Sequence, residues 1–246
     1  ASVLKILNLA LGEDAKDMHF DPIADQILGA SGAQIAALVR EARGLARAER
    51  TLLVQSHLED AATGICPTLS PDILWRIAVH EAGHLVAAHA LGLPPAERAT
   101  ITNTGGFVDI PSPMLLSTQS AKDRIAALLA GRAAEQVVFG EALNGAGLGS
   151  NSDLELATKL AGQMTYEWGL GDQLVYDPIE AQTVSRTTAK YLDKTLRTQQ
   201  LRAIQILEGR KELVATIATA LCKNRELSGD QIRKFLRTEE SPTNTA

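Results

Sequence analysis

Two histidines and a glutamate fall within five consecutive residues, His80-Glu81-Ala82-Gly83-His84. A helix turns about 100° per residue, so His80 and His84 lie roughly 40° apart on one face and about 6 Å apart along the axis. Two imidazoles at that spacing can reach one metal ion, and neutral imidazole nitrogen binds Zn²⁺ at about 2.0–2.1 Å. Glu81 sits about 60° round from His84, close enough to hold a water beside the metal without ligating it. The chemistry this suits is metal-assisted hydrolysis, with two ligands, a general base and an open position for water.

A helix must present these residues, and the flanking sequence supplies one. Ser70 can cap its start, and Pro71 suits the first helical position, where no amide donor is needed. Ile73, Ile77, Val79, Leu85, Val86 and Leu91 give it apolar surface, and Gly92 with Pro94 and Pro95 ends it. His89 is five residues beyond His84, roughly 140° away round the helix, so it is read as a packed or surface histidine. A metzincin-type third histidine is excluded as well, because the positions that would hold its glycine and histidine are Ala87 and Ala90.

The third ligand must come from elsewhere, and carboxylates are the candidates. Glu135 lies in Gly131-Arg132-Ala133-Ala134-Glu135 on an amphipathic helix, where it could equally be a solvated or buried paired acid. Asp153 follows a loop with Gly145, Gly147 and Gly149 and opens a helix, where it could equally be an N-cap. Spacing does not choose between them.

Four segments in one order carry a resemblance. They are His80 to His84, then Gly131 to Glu141 (GRAAEQVVFGE), then Asp153-Leu154-Glu155-Leu156-Ala157-Thr158, then Glu167-Trp168-Gly169-Leu170. Together they resemble the peptidase domain of FtsH-type ATP-dependent zinc metalloproteases, over roughly residues 70 to 237. The resemblance implies that Asp153 is the third zinc ligand beside His80 and His84, with one Zn²⁺ per chain and Glu81 as the catalytic base. It further implies an edge strand beside the active site that holds extended substrate. The counterpart is Gly105 to Pro111, with Gly106, Phe107 and Val108 as substrate-binding residues. Two departures stand out: Ser152 occupies the place where the family usually has Asn, and the segment before Gly131 is shorter than usual.

Residues 1–60 read as a helical unit. Asp21-Pro22 starts a short helix closed by Gly29, and Ser31 with Gln34 forms a capping box that launches a helix to about Val54. Ser31-Gly32-Ala33 resembles the start of the long helix in the lid of an AAA ATPase module. Residues 61–70 read as a linker, 71–240 as the zinc peptidase domain and 241–246 as a disordered tail. Within the peptidase domain, helices are expected from Thr188 to about Leu207, from Arg210 to about Cys222, and from a Ser228 cap through Leu236. The expected fold class is mainly α: a helical lid, then an α-helical metallopeptidase with a small β-element near the active site.

Composition agrees. Aromatic residues make up only 4% of the 246, which favours packed helices over a sandwich. Net charge is -5, from 24 basic and 29 acidic residues, so nothing points to nucleic acid. Cys66 and Cys222 are too few for a disulfide framework, and a reducing, cytoplasmic setting is the default. No apolar run approaches the roughly 20 residues of a membrane span, and the apolar opening lacks a basic leader. No Gly-x-x-x-x-Gly-Lys-Ser/Thr phosphate loop is present, so ATP is expected to act only through a module upstream of this chain, which could also carry a membrane anchor.

The expected activity is therefore zinc endopeptidase action on unfolded polypeptides, within a homo-hexamer. The alternatives are a catalytically silent, zinc-stabilised scaffold and an assembly domain in which the zinc motif is coincidental. Intact Glu81 weighs against the scaffold, since a structural site needs no base.

Overall fold

Burial of small and aliphatic side chains along helices accounts for most of the structure, a computed structural model that describes residues 3–103, 105–147, 151–172, 174, 176–177 and 186–237. It is mainly α, as expected. The chain divides into two units, Ala1–Leu74 with Ile101–Gly106, and Trp75–Thr100 with Phe107–Ala246.

In the first unit, α1 (Val3–Leu11), α2 (Asp21–Ala24), α3 (Gly32–Glu49) and α4 (Gln55–Ile65) enclose a core of Leu7, Leu11, Ile23, Ile27, Ile35, Leu38 and Leu58. The Ser31–Gln34 capping box forms as expected, with the Ser31 hydroxyl accepting the Gln34 amide. Two boundaries differ from expectation. Helix α3 stops at Glu49, not Val54, because Arg50 adopts a left-handed conformation with φ of 59° and returns its N–H to the carbonyls of Ala46 and Arg47. Val54 instead precedes α4: its amide donates to Nδ1 of buried His57 at 3.1 Å, and Nε2 of the same ring donates to Glu49 at 2.9 Å. The expected linker at 61–70 is half helix, since Ala61 and Ala62 are buried in this core and carry α4 through to Ile65. The first unit thus runs past residue 60, to Leu74.

Helix α5 (Pro71–Ala90) begins as the sequence indicates, with the Ser70 hydroxyl accepting the Ile73 amide at 3.3 Å. It leads to β1 (Arg98–Thr102) and β2 (Gly105–Asp109). These strands form a three-stranded sheet with β3 (Glu226–Ser228) in the order β2-β1-β3. Strands β1 and β3 pair antiparallel, Ala99 opposite Leu227, both buried. Strand β2 is an edge of the sheet, as the resemblance implies for Gly106, Phe107 and Val108. Phe107 is 43% exposed and lies 5.0 Å beneath the Arg98 guanidinium.

The second unit continues with α6 (Thr118–Leu128) and α7 (Ala130–Phe139), joined through Leu129. Next come α8 (Asp153–Gly162), α9 (Arg186–Glu208), α10 (Lys211–Asn224) and α11 (Gly229–Arg237). Helix α6 packs on α8 and α9, and α7 on α9, around Ile125, Leu129, Ala157, Leu160 and Leu192. A π-helical turn, Gln163–Glu167, extends α8. The expected 241–246 tail lies outside the described residues. No described helix is long and apolar enough to cross a membrane.

Candidate metal centre

Helix α5 holds its chemistry inside the fold. His80, Glu81 and His84 are all buried on this helix, each less than a tenth exposed. Two glycines permit the approach of α7. A Cβ on Gly83 would lie 2.5 Å from the Ala134 Cβ and 2.7 Å from the Ala130 carbonyl. A Cβ on Gly131 would lie 2.3 Å from His80 Nε2. The glycines of the two motifs therefore let one helix backbone rest against the other, with the His80 ring in the space left at Gly131.

The Asp153 carboxylate reaches the same point from the first position of α8. The helix is capped by Ser152, whose hydroxyl accepts the Glu155 amide at 3.4 Å, so Asp153 is not needed as a cap. Its Oδ2 lies 2.9 Å from His80 Nε2 and 3.3 Å from His84 Nε2. One ligand atom from each of the three residues falls within 4.8 Å of the others. Among the described residues this is the one group of histidine, cysteine and acidic side chains arranged so.

The far side of each imidazole is fixed. His80 Nδ1 lies 2.7 Å from Glu135 Oε1, and His84 Nδ1 lies 2.7 Å from the Ala127 carbonyl. Each Nδ1–H donates outward, which leaves each Nε2 facing the common point. This is the arrangement that orients histidine metal ligands. Glu135 does more, since its Oε2 accepts the Leu143 amide at 2.6 Å, at the start of the segment that leads to Asp153. Glu135 thus stands behind His80 and outside the group of converging atoms. Glu155 serves elsewhere, accepting the Asn151 amide at 2.8 Å.

Electrostatics follow from this packing. Burial pulls the His80 imidazole down, but its hydrogen bonds to Asp153 and Glu135 outweigh burial and raise it to about 10. Burial likewise opposes protonation of His84, yet the Asp153 charge raises it. Burial pushes the Asp153 carboxyl up, and the two imidazoles more than reverse this, leaving it well below the usual carboxylate range. Glu81 moves upward through burial, only partly offset by the two histidines. Two imidazoles and a carboxylate converging on one point, backed by oriented partners, fit a divalent metal of the Zn²⁺ class.

Residues 70–235 match peptidase family M41. The chain belongs to that family. The matched span includes the three converging residues His80, His84 and Asp153, together with Glu81 and Glu135. The chain is 26% identical over 265 aligned residues to an ATP-dependent zinc metalloprotease FtsH of Streptococcus pneumoniae serotype 4, covering 93% of this chain and 39% of that protein. It is 29% identical to the protein of that name from Lactiplantibacillus plantarum, covering 93% of this chain and 34% of the relative. The Thermus thermophilus FtsH is also 29% identical, with 90% of this chain and 40% of the relative covered. The chain therefore spans two-fifths or less of each of these relatives.

The structure brings His80, His84 and Asp153 together and sets Glu135 behind His80. His89, doubted from its helical phase, is not in the ligand group. The sequence carried no signal for the Ala127 carbonyl, because any residue offers one.

Proposed function

We propose that this M41 chain is a zinc metalloendopeptidase that cleaves unfolded or misfolded polypeptides, coupled in the longer protein to an AAA ATPase. The observation that carries the reading is the convergence of His80 Nε2, His84 Nε2 and Asp153 Oδ2, with buried Glu81 one residue from the first ligand. A Zn²⁺ held there would supply Lewis acidity, bringing a water's pKa towards about 7 and stabilising the oxyanion of the attacked carbonyl. Glu81 takes the proton of the attacking water and returns it to the leaving amine. Burial raises its pKa above the usual carboxylate range, which favours return of the proton to the leaving amine. Glu135 and the Ala127 carbonyl keep the two Nε2 atoms aimed.

Gly106, Phe107 and Val108 on edge strand β2 hold an extended substrate by adding it to the sheet, since an edge strand presents backbone groups for pairing. The first unit acts as the helical lid of the ATPase module. Six chains close a ring around one chamber, which admits only unfolded chains. A content of two cysteines, Cys66 and Cys222, suits a reducing, cytoplasmic setting.

Metal analysis tests the reading first. Purified protein is expected to carry about one zinc per chain, to lose casein hydrolysis on chelation and to regain it with added zinc. A folded preparation that neither holds nor takes up zinc would overturn it.

A further inference from the structure

Helix α8 carries a second feature two turns beyond Asp153. A cavity of about 470 Å³ opens there, walled by Leu116, Leu160, Trp168 and Leu170 and rimmed by Met114 and Leu115. Met114 and Leu115 are 96% and 85% exposed, an unusual investment of apolar surface at one place. Among the described residues, no acidic side chain lines the cavity.

Its walls are tied down. Arg124, which also lines it, donates to the carbonyls of Ile110 and Pro111 at 3.3 and 3.2 Å, immediately beyond β2. Thr118 donates to the Leu170 carbonyl at 3.3 Å. The π turn after α8 closes with the Trp168 amide on the Gln163 carbonyl at 2.9 Å, and both residues face the cavity. Such turns are frequent at functional sites.

We propose that this cavity is a remote specificity subsite, taking one bulky apolar side chain of the polypeptide being cleaved. The inference rests on the peptidase reading above. Asp153 and Leu160 are seven residues apart on one helix, so the cavity stands about 10 Å along the axis from the metal ligand. An extended chain covers that distance in about three residues. A substrate lying along β2 runs off the end of that strand over the segment Arg124 pins, which brings it to the cavity. The residue read is therefore about three from the scissile bond, on one side of it only. Ser112, Arg124 and Gln163 also line the cavity, but the Arg124 guanidinium is engaged by the Ile110 and Pro111 carbonyls, so the leucine and tryptophan walls and the exposed Met114–Leu115 rim select a large aliphatic or aromatic side chain.

The test is a cleavage-site profile on a peptide library made from a whole proteome, read by mass spectrometry. It compares the parent chain, Leu115→Glu and Trp168→Ala. For the parent, large apolar residues are expected to be enriched about tenfold over charged ones at a single position about three residues from the cut. Trp168→Ala is expected to flatten that preference. Leu115→Glu, at an exposed site that leaves the core untouched, is expected to redirect it to Lys and Arg. A gain of that kind cannot come from misfolding. An unchanged profile in both variants would overturn the subsite while leaving the peptidase reading standing. An unchanged profile with a smaller assembly by light scattering would overturn it too, and assign the surface to a second copy of the chain. Zinc-loaded protein that cuts nothing in all three forms would overturn the peptidase reading, and the subsite with it.

Discussion

Asp153 and Glu135 both approach His80, but from opposite sides of the ring, and on that ground we propose different roles for them. Asp153 meets Nε2, the nitrogen that faces the proposed metal position, while Glu135 meets Nδ1. Asp153→Asn is expected to cut zinc affinity and hydrolysis sharply, because a neutral amide is a poor substitute for a ligating carboxylate. Glu135→Gln is expected to keep zinc near full occupancy and to weaken affinity by about tenfold, since an orienting partner is lost and not a ligand. Zinc titration of the two variants checks this, and the reverse ranking would move the third ligand to Glu135. The protonation of the metal-free site makes a separate prediction. The folded value of about 10 for His80 lies above the ordinary 6.5, so the stability it contributes is fully present below about 6.5 and is lost as pH rises through about 10. The depressed Asp153 carboxyl works the other way, contributing above its ordinary range and losing that contribution as pH falls through its folded value. Metal-free protein is thus expected to melt at progressively lower temperature from pH 6.5 to 10, with the zinc-loaded form much less affected. Zinc uptake at pH 7 is expected to release protons, because the ligating imidazoles must be neutral. Calorimetry in buffers of different ionisation enthalpy reads that release.

At the scale of elements, the site depends on how closely α5 and α7 cross. Gly131→Ala would set a Cβ within 2.3 Å of His80 Nε2, so the ring must swing away from Asp153. The variant is expected to lose zinc affinity by more than Glu135→Gln does. Gly83→Ala meets the Ala130 carbonyl, which cannot turn aside as a side chain would, and is expected to cost about 1–3 kcal/mol of stability by overpacking. Denaturant unfolding and zinc titration separate the two effects. These helices also show what a sequence can and cannot carry. The start of α5 was legible because Ser70, Pro71 and the histidine spacing act within one or two turns. The Ser31–Gln34 cap was legible for the same reason. The end of α3 was not, because Arg50 takes a left-handed conformation that arginine rarely favours, and buried His57 bonds both the Val54 amide and Glu49 across the turn. The persistence of α4 through residues 61–65 depends on Ala61 and Ala62 finding a core, which is tertiary information. Glu135 could be singled out as a candidate acid, yet its partner lies 55 residues away and no local pattern names it.

For the whole molecule, fold class and family were both legible, since four motifs in fixed order constrain much more than any one. The sheet was legible only at β2, because β3 has three residues and exists through pairing with β1 across the length of the second unit. Membership of peptidase family M41 and likeness to FtsH relatives along nearly the whole chain suit a peptidase joined to an ATPase lid. Metal binding alone does not make such a chain an enzyme, because a scaffold could hold zinc equally well. What separates the two is Glu81, buried beside the ligands with its pKa raised by burial. The deciding measurement is therefore the casein hydrolysis rate of Glu81→Gln against the parent, at matched zinc content. Loss of an acting general base is expected to lower the rate by about 10²–10⁴-fold while zinc stays at about one per chain. A variant that retains its zinc and cleaves at the parental rate would contradict the assignment of Glu81, and with it the account of this site as a hydrolytic centre.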